Sequence, residues 1–78
     1  ALGCVIRGET SHYDYVCSES ARGLNHLAIT EKLPIANGIL TVENEAQALA
    51  RADYKQKDKG GFCADAVATM IKIKEDFQ

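Results

Sequence analysis

The six residues 7–12, Arg-Gly-Glu-Thr-Ser-His, combine groups that can bind an anion and move a proton. Backbone amides and hydroxyls at a helix N-terminus favour anions, and an imidazole titrates near neutral pH. His12 is therefore predicted to be a general acid or base beside an anion site formed by Gly8, Thr10 and Ser11. Two plainer interpretations stay open: an exposed His12, and ordinary helix capping by Thr10 or Ser11.

Three cations, the first of them within residues 7–12, are further candidates for binding an anionic substrate. Arg7 can contact a ligand or pair with a nearby carboxylate, Glu9 or Asp14. Arg51 can bind a phosphate through two hydrogen bonds, or can be a solvated arginine near a helix end. Lys59 precedes two glycines, where it can reach a carbonyl or phosphate oxygen; the alternative is a solvated lysine-rich face.

Apolar periodicity divides the chain into five elements that would position these groups. The first run is unbroken, as in a parallel strand buried on both faces. Pro34 is expected to stop the first helix, Asn44 and Gln47 to form a capping box, and Gly23 to mark a close approach of a neighbouring element. The elements are a strand at 2–6, a helix at 13–30, a strand at 35–42, a helix at 46–52 and a helix at 62–77, with a loop at 53–61 between the last two.

The element order predicts an α/β fold with a parallel sheet covered by helices and right-handed crossovers. Residues 7–12 would then follow a strand at its carboxyl end, where open α/β sheets bind ligands. Two strands alone do not make a stable sheet with both faces covered. We therefore expect further strands from outside this sequence, in the same subunit or in another chain.

Composition narrows the classes of function. The 78 residues allow a single small domain, and a formal charge of -2 gives no electrostatic case for a nucleic acid or an anionic membrane. The three cysteines form no C-x-x-C pair, so neither a disulfide framework nor a zinc site is expected, and a reducing cytoplasm fits best. No apolar run approaches the roughly 20 residues of a membrane helix.

The motifs together resemble those of the lumazine synthase family. The resemblance rests on four stretches that occur in the family's order and spacing, and it covers essentially the whole chain. These stretches are ALGCVIRGETSHYDYV at 1–16, PIANGILTVEN at 34–44, EAQALARA at 45–52 and Lys59-Gly60.

The resemblance implies that residues 1–78 are one domain, the C-terminal half of a subunit with a flavodoxin-like three-layer α/β/α fold. Such subunits assemble as pentamers with shared active sites, and in some members as a hollow icosahedral shell. The family condenses 5-amino-6-ribitylaminouracil with 3,4-dihydroxy-2-butanone 4-phosphate to 6,7-dimethyl-8-ribityllumazine, without a metal or an organic cofactor. The implied partners are these two small molecules and further copies of the chain.

The resemblance also implies roles for individual residues. His12 matches the family's proton-transfer histidine, and Arg51 matches an arginine that reaches the phosphate from the adjacent subunit. Lys59 matches a lysine in the same shared pocket. The residues expected to contact substrate are Arg7, Gly8, Glu9, Thr10, Ser11, Asn37, Arg51 and Lys59.

Two departures from the family's pattern support a second hypothesis. Asn37 stands where many members have an aromatic residue, and Asp58 replaces the usual asparagine before Lys59. A homologue that assembles, or that binds a flavin-like ligand with little turnover, would tolerate both changes. A third hypothesis, a signalling-type phosphate-binding module, needs an acceptor carboxylate at a strand end. It ranks last because the predicted strands end at Ile6 and Val42.

Overall fold

The computed structural model describes residues 1–77 and contains two strands and three helices. Their order, strand, helix, strand, helix, helix, is the order that the sequence predicts. The elements are β1 (Leu2–Ile6), α1 (His12–Thr30), β2 (Gly38–Val42), α2 (Glu45–Ala52) and α3 (Lys59–Asp76).

β1 and β2 are parallel, in a register that runs from Leu2 opposite Gly38 to Ile6 opposite Val42. The ladder extends beyond β1, because the Arg7 N–H donates to the carbonyl of Val42 at 2.9 Å. Parallel strands end at the same edge of a sheet. We call the edge beyond Ile6 and Val42 the carboxyl edge, and the edge before Leu2 and Gly38 the amino edge.

The helices cover the sheet in the manner expected of an α/β fold. α1 packs on β1, whereas α2 packs on both strands and α3 packs on β2 and α2. The Cα atoms extend 47 × 31 × 9 Å. Neighbouring strands lie about 5 Å apart. A layered structure that is only two strands wide is therefore thin along the direction from one strand to the next. The arrangement is a partial flavodoxin-like fold, as predicted.

The hydrophobic core is small and lies between β2 and α2. Val42 and Ala48 are its buried members, with 3% and 8% of their surface exposed. The prediction that residues 2–6 are buried on both faces is wrong for this chain, because Leu2 is 76% exposed and only Val5 is half-buried. β1 has a strand neighbour on one side only among residues 1–77, which leaves its apolar side chains partly uncovered.

β2 begins at Gly38 rather than at residue 35, because ladder pairing starts where β1 does. Gly38 is also a point of close approach: a Cβ there would lie 2.8 Å from Cδ2 of Leu2 and 2.9 Å from the Ala1 carbonyl oxygen. A side chain at this position would force the two strands apart. The absence of a Cβ at Gly38 therefore permits the pairing of β1 with β2.

The start of α3 corrects the predicted loop at 53–61, since the helix begins at Lys59 and includes both glycines. Asp58 is the N-cap residue, with a positive φ of 46°, and its Oδ1 accepts from the Gly61 N–H at 3.2 Å. A Cβ at Gly61 would collide with the Asp58 carboxylate. Glycine, normally a sign of a loop, here lets the capping carboxylate approach the first turn.

Two smaller expectations also change. Asn44 caps α2 as predicted, through Gln47 N–H to Oδ1 at 2.9 Å, but the Gln47 side chain accepts from the Glu43 N–H instead of completing a capping box. Within residues 1–77 no atom lies within 4 Å of a Cβ built on Gly23, so the predicted close approach is not made in this chain. None of the described helices has the length and apolar character needed to cross a bilayer.

Candidate functional site

The turn at the carboxyl edge joins β1 to α1 and carries the candidate proton-transfer residue. Gly8, Glu9, Thr10 and Ser11 are exposed, and His12 is the first residue of the helix. The Thr10 hydroxyl accepts from the His12 N–H at 3.3 Å, while Ser11, the N-cap residue, makes no capping bond with its side chain. Thr10 therefore performs the local capping, and the Ser11 hydroxyl stays available at the helix N-terminus.

The imidazole of His12 is exposed, and no group in residues 1–77 forms a hydrogen bond with it. An exposed imidazole can exchange protons with a bound molecule. It lies one residue from the Ser11 hydroxyl, at the positive end of the α1 dipole. The turn thus places an acid–base group beside a region that favours negative charge.

Arg7 is held by three groups of its own chain. Its Nε lies 2.8 Å from a carboxylate oxygen of Glu43, and its Nη2 lies 3.3 Å from one of Asp14. The guanidinium carbon also lies 4.4 Å from the ring centroid of Tyr13, within the range of a cation–π contact. Of the two carboxylate partners that the sequence left open, Asp14 is the one that pairs with Arg7.

Glu43 is the residue of this edge that the sequence analysis missed. It directly follows β2, so its position at the carboxyl edge was deducible from the parallel order of the strands. Its pairing with Arg7 depends on the strand register, which residue types alone do not give. Because Glu43 is paired with Arg7, it does not resemble the free acceptor carboxylate of a signalling module.

Tyr13 completes this group of residues. Its half-buried ring is partly desolvated, and this desolvation raises the pKa of the phenol above the ordinary value of 10.0. Cys17 and the negative charge of Glu43 raise the pKa further, whereas a hydrogen bond with Thr41 acts in the opposite direction. The hydroxyl therefore stays neutral at physiological pH, and the ring serves as a surface for the Arg7 guanidinium.

The other three predicted site residues belong to the amino edge. Asn37 precedes β2 and accepts from the Ile39 N–H through Oδ1 at 2.9 Å. Arg51 lies near the end of α2, and its Nη1 donates to the Gln47 carbonyl at 3.0 Å. Lys59 is the first residue of α3 and is exposed. Their neighbours meet in one apolar cavity of about 210 Å³, whose lining includes Leu2, Gly38, Ala52 and Gly60.

The predicted site residues therefore form two groups at opposite edges of the sheet. The strands have five residues each, so the edges are about 16 Å apart at 3.3 Å per residue. One group is residues 7–12, and the other is Asn37, Arg51 and Lys59. A single copy of this chain does not bring His12 and Arg51 to one small ligand.

The charges of the two groups also differ. Within the described part of the chain, neither Arg51 nor Lys59 forms an ion pair, although Arg7 forms two. A cation without an internal carboxylate partner can neutralise a ligand anion without first losing that carboxylate. The same residues 1–77 contain no cluster of three His, Cys, Asp or Glu side chains suited to a metal ion.

Comparison with known proteins gives consistent matches over nearly the whole chain. The family model described as 6,7-dimethyl-8-ribityllumazine synthase matches residues 1–75. The chain is 61% identical over 75 residues to the enzyme of that name from Agrobacterium fabrum, covering 96% of this chain and 51% of that protein. It is 57% identical over 77 residues to the one from Bartonella henselae, covering 99% and 50%. The chain thus spans about half the length of the curated relatives it matches.

Proposed function

Because this chain belongs to the 6,7-dimethyl-8-ribityllumazine synthase family, as residues 7–12 and 34–44 led us to predict, we propose that it carries out that synthesis in riboflavin production. The substrates would be 5-amino-6-ribitylaminouracil and 3,4-dihydroxy-2-butanone 4-phosphate. The product would be 6,7-dimethyl-8-ribityllumazine, with release of inorganic phosphate. The three cysteines are free, which fits a reducing compartment such as the cytoplasm.

The proposed chemistry assigns proton transfer to the carboxyl edge. Imine formation between the amine and the ketone, and the later phosphate elimination, both require protons to move near neutral pH. His12 would supply and accept them, because its imidazole is exposed and has no hydrogen-bond partner in the described residues. The amides and hydroxyls of residues 8–11 would bind the phosphate at the N-terminus of α1.

The amino edge would bind the same phosphate from a second copy of the chain. Arg51 would stabilise the departing anion through two hydrogen bonds, and Lys59 would add a second positive charge. Asn37 would line the pocket where many relatives have an aromatic residue. Holding both substrates in one shared pocket would contribute a large part of the rate enhancement.

The observation that carries this proposal is the separation of the two groups by the length of the strands. Neither edge holds both the proton-transfer group and the unpaired cations, so a complete site needs the carboxyl edge of one copy and the amino edge of another. A heterologous contact of this kind, repeated around an axis, closes into a ring. We propose a homo-oligomer, a pentamer by analogy with the family, with its sites between neighbouring copies.

A mixing experiment tests the shared site directly. We expect a partial loss of lumazine formation in His12→Ala and a loss of about 100-fold in Arg51→Met. When the two impaired variants are unfolded and reassembled together in equal amounts, about a quarter of the sites would combine an intact His12 with an intact Arg51. Activity would then rise well above that of either variant alone.

Three outcomes would contradict the proposal in different ways. Wild-type rates in both single variants would reject these residues as the chemical groups. No recovery after mixing, with oligomers of normal size, would place the site within one chain. Saturable binding of a lumazine analogue without turnover by the wild-type protein would favour the binding homologue suggested by Asn37 and Asp58.

A further inference from the structure

We propose that Glu43 is a positioning residue, which holds the phosphate-binding turn and His12 in place through its contact with Arg7. The inference rests on the function proposed above and extends it to a residue that contacts no substrate. It concerns three elements that meet at the carboxyl edge: the end of β2, the start of α1 and the first turn of α2. The Arg7 guanidinium connects them.

Arg7 is fixed at the entrance of the turn by its main chain and its side chain. The Arg7 N–H donates to Val42, which continues the ladder for one residue beyond β1. The side chain then reaches Glu43 at 2.8 Å and Asp14 at 3.3 Å. Residues 8–11 therefore lie between Arg7 and the first turn of α1, and Asp14 of that turn contacts the Arg7 guanidinium.

Glu43 is itself anchored, so it can hold Arg7 against a fixed frame. Its backbone N–H donates to Oε1 of Gln47 at 2.8 Å, and the Gln47 N–H donates to Oδ1 of Asn44 at 2.9 Å. These two bonds fix the corner between β2 and α2. The Glu43 backbone is thus held by the first turn of α2, and the Arg7–Glu43 contact connects this anchored backbone to the turn at residues 8–11.

The exposure of these side chains indicates that their ion pairs affect the position of the turn more than the free energy of unfolding. The side chains of Arg7, Glu43 and Asp14 are 41%, 56% and 63% exposed. Exposed ion pairs contribute little to the free energy of unfolding, so losing one should leave the fold intact. A small displacement of a substrate-binding group, in contrast, can lower a rate strongly. The contact should therefore affect substrate binding more than folding.

The test replaces Glu43 in the protein that carries this sequence. For Glu43→Ala we expect the KM for the butanone phosphate to rise about 10-fold, with an unchanged KM for the ribitylaminouracil and an unchanged unfolding midpoint. A loss of folded protein would lower kcat and leave both KM values unchanged. Glu43→Gln keeps an oxygen that accepts from Arg7, so it should recover most of the affinity. The control is Glu45→Ala, an exposed acid two residues further on that forms no ion pair within residues 1–77.

Amide hydrogen exchange supplies a readout that is independent of the reaction. The Arg7 N–H and the His12 N–H are both hydrogen-bonded at this turn, and we expect both to exchange several-fold faster in Glu43→Ala but not in Glu45→Ala. Unchanged exchange and an unchanged KM, in a protein whose lumazine formation falls in His12→Ala, would overturn the positioning role alone. If the wild-type protein makes no lumazine, the proposed function fails, and the exchange rates by themselves support or overturn the role of Glu43.

Discussion

The positive side chains at the two edges of this sheet differ in their ion pairing. At the carboxyl edge, Arg7 has two carboxylate partners and an aromatic ring within its own chain. At the amino edge, Arg51 and Lys59 have no carboxylate partner in residues 1–77. A cation paired with carboxylates of its own chain is already neutralised, whereas one without such partners can neutralise a ligand anion. We therefore predict different roles for Arg7 and Arg51, although both belong to the same family motifs.

The largest expected effect tests the unpaired arginine. Arg51→Met should lower kcat/KM about 100-fold, equivalent to about 2.7 kcal/mol, because it would remove the charge that we propose stabilises the departing phosphate. The free energy of unfolding should fall by no more than about 1 kcal/mol, because the change removes one hydrogen bond to the Gln47 carbonyl and no ion pair. Steady-state kinetics and thermal unfolding would measure both quantities.

Arg22→Met is the matched control for that change. Arg22 pairs with Glu19 on an exposed part of α1, where its side chain is 80% exposed. The Arg22→Met substitution should leave kcat/KM within about 2-fold of the wild-type value, and the free energy of unfolding within about 0.5 kcal/mol of it. Equal losses in the two variants would mean that the pairing state of an arginine carries no information about its role here.

Substitutions of two glycines test the close approach of Asp58 to Gly61 at the start of α3. Gly61→Ala should destabilise the protein by about 2 kcal/mol, because the new Cβ meets the capping carboxylate of Asp58. Gly23→Ala has open space around it and should stabilise α1 by up to about 1 kcal/mol. Urea unfolding of the two variants gives both values, and equal signs would refute the close approach at Gly61.

The smallest expected effect concerns the negative charge beside Lys59. Asp58→Asn keeps an oxygen that accepts from the Gly61 N–H and suits the left-handed backbone at φ 46°. Removing the charge should lower the KM for the butanone phosphate about 3-fold, and this difference should shrink at high salt. A KM independent of this substitution would separate Asp58 from the phosphate site.

The sequence predicted the fold well where periodicity and small turns decide it. β1 has its predicted limits, α1 begins at His12 instead of residue 13, and both helices beyond β2 were found. The predicted start of α3 was wrong because two consecutive glycines usually indicate a loop. Here the missing Cβ of Gly61 leaves room for the Asp58 carboxylate that caps the helix. Glu43 was missed because its partner is set by the register of two strands that are far apart in sequence.

The division of the site into two groups was only partly predictable. The resemblance assigned Arg51 to an adjacent subunit and Lys59 to the same shared pocket, but it did not say at which edge of the sheet Asn37 and Lys59 lie. A parallel order places a residue before β2 and a residue after β1 at opposite edges, which the coordinates make explicit. The exact partners of Arg7 required side-chain geometry.

The pairing of β1 with β2 also constrains the order in which the chain folds. The partners of this ladder are separated by residues 7–37, so closing the loop between them costs roughly 3 kcal/mol of chain entropy. α1 supplies 19 of those residues as a rigid rod, which shortens the flexible part of the loop. A helix relaxes in about a microsecond, whereas non-local strand pairing is slower. We therefore expect α1 to form before the strands meet, so that the rate-limiting event is the docking of Gly38 against Leu2.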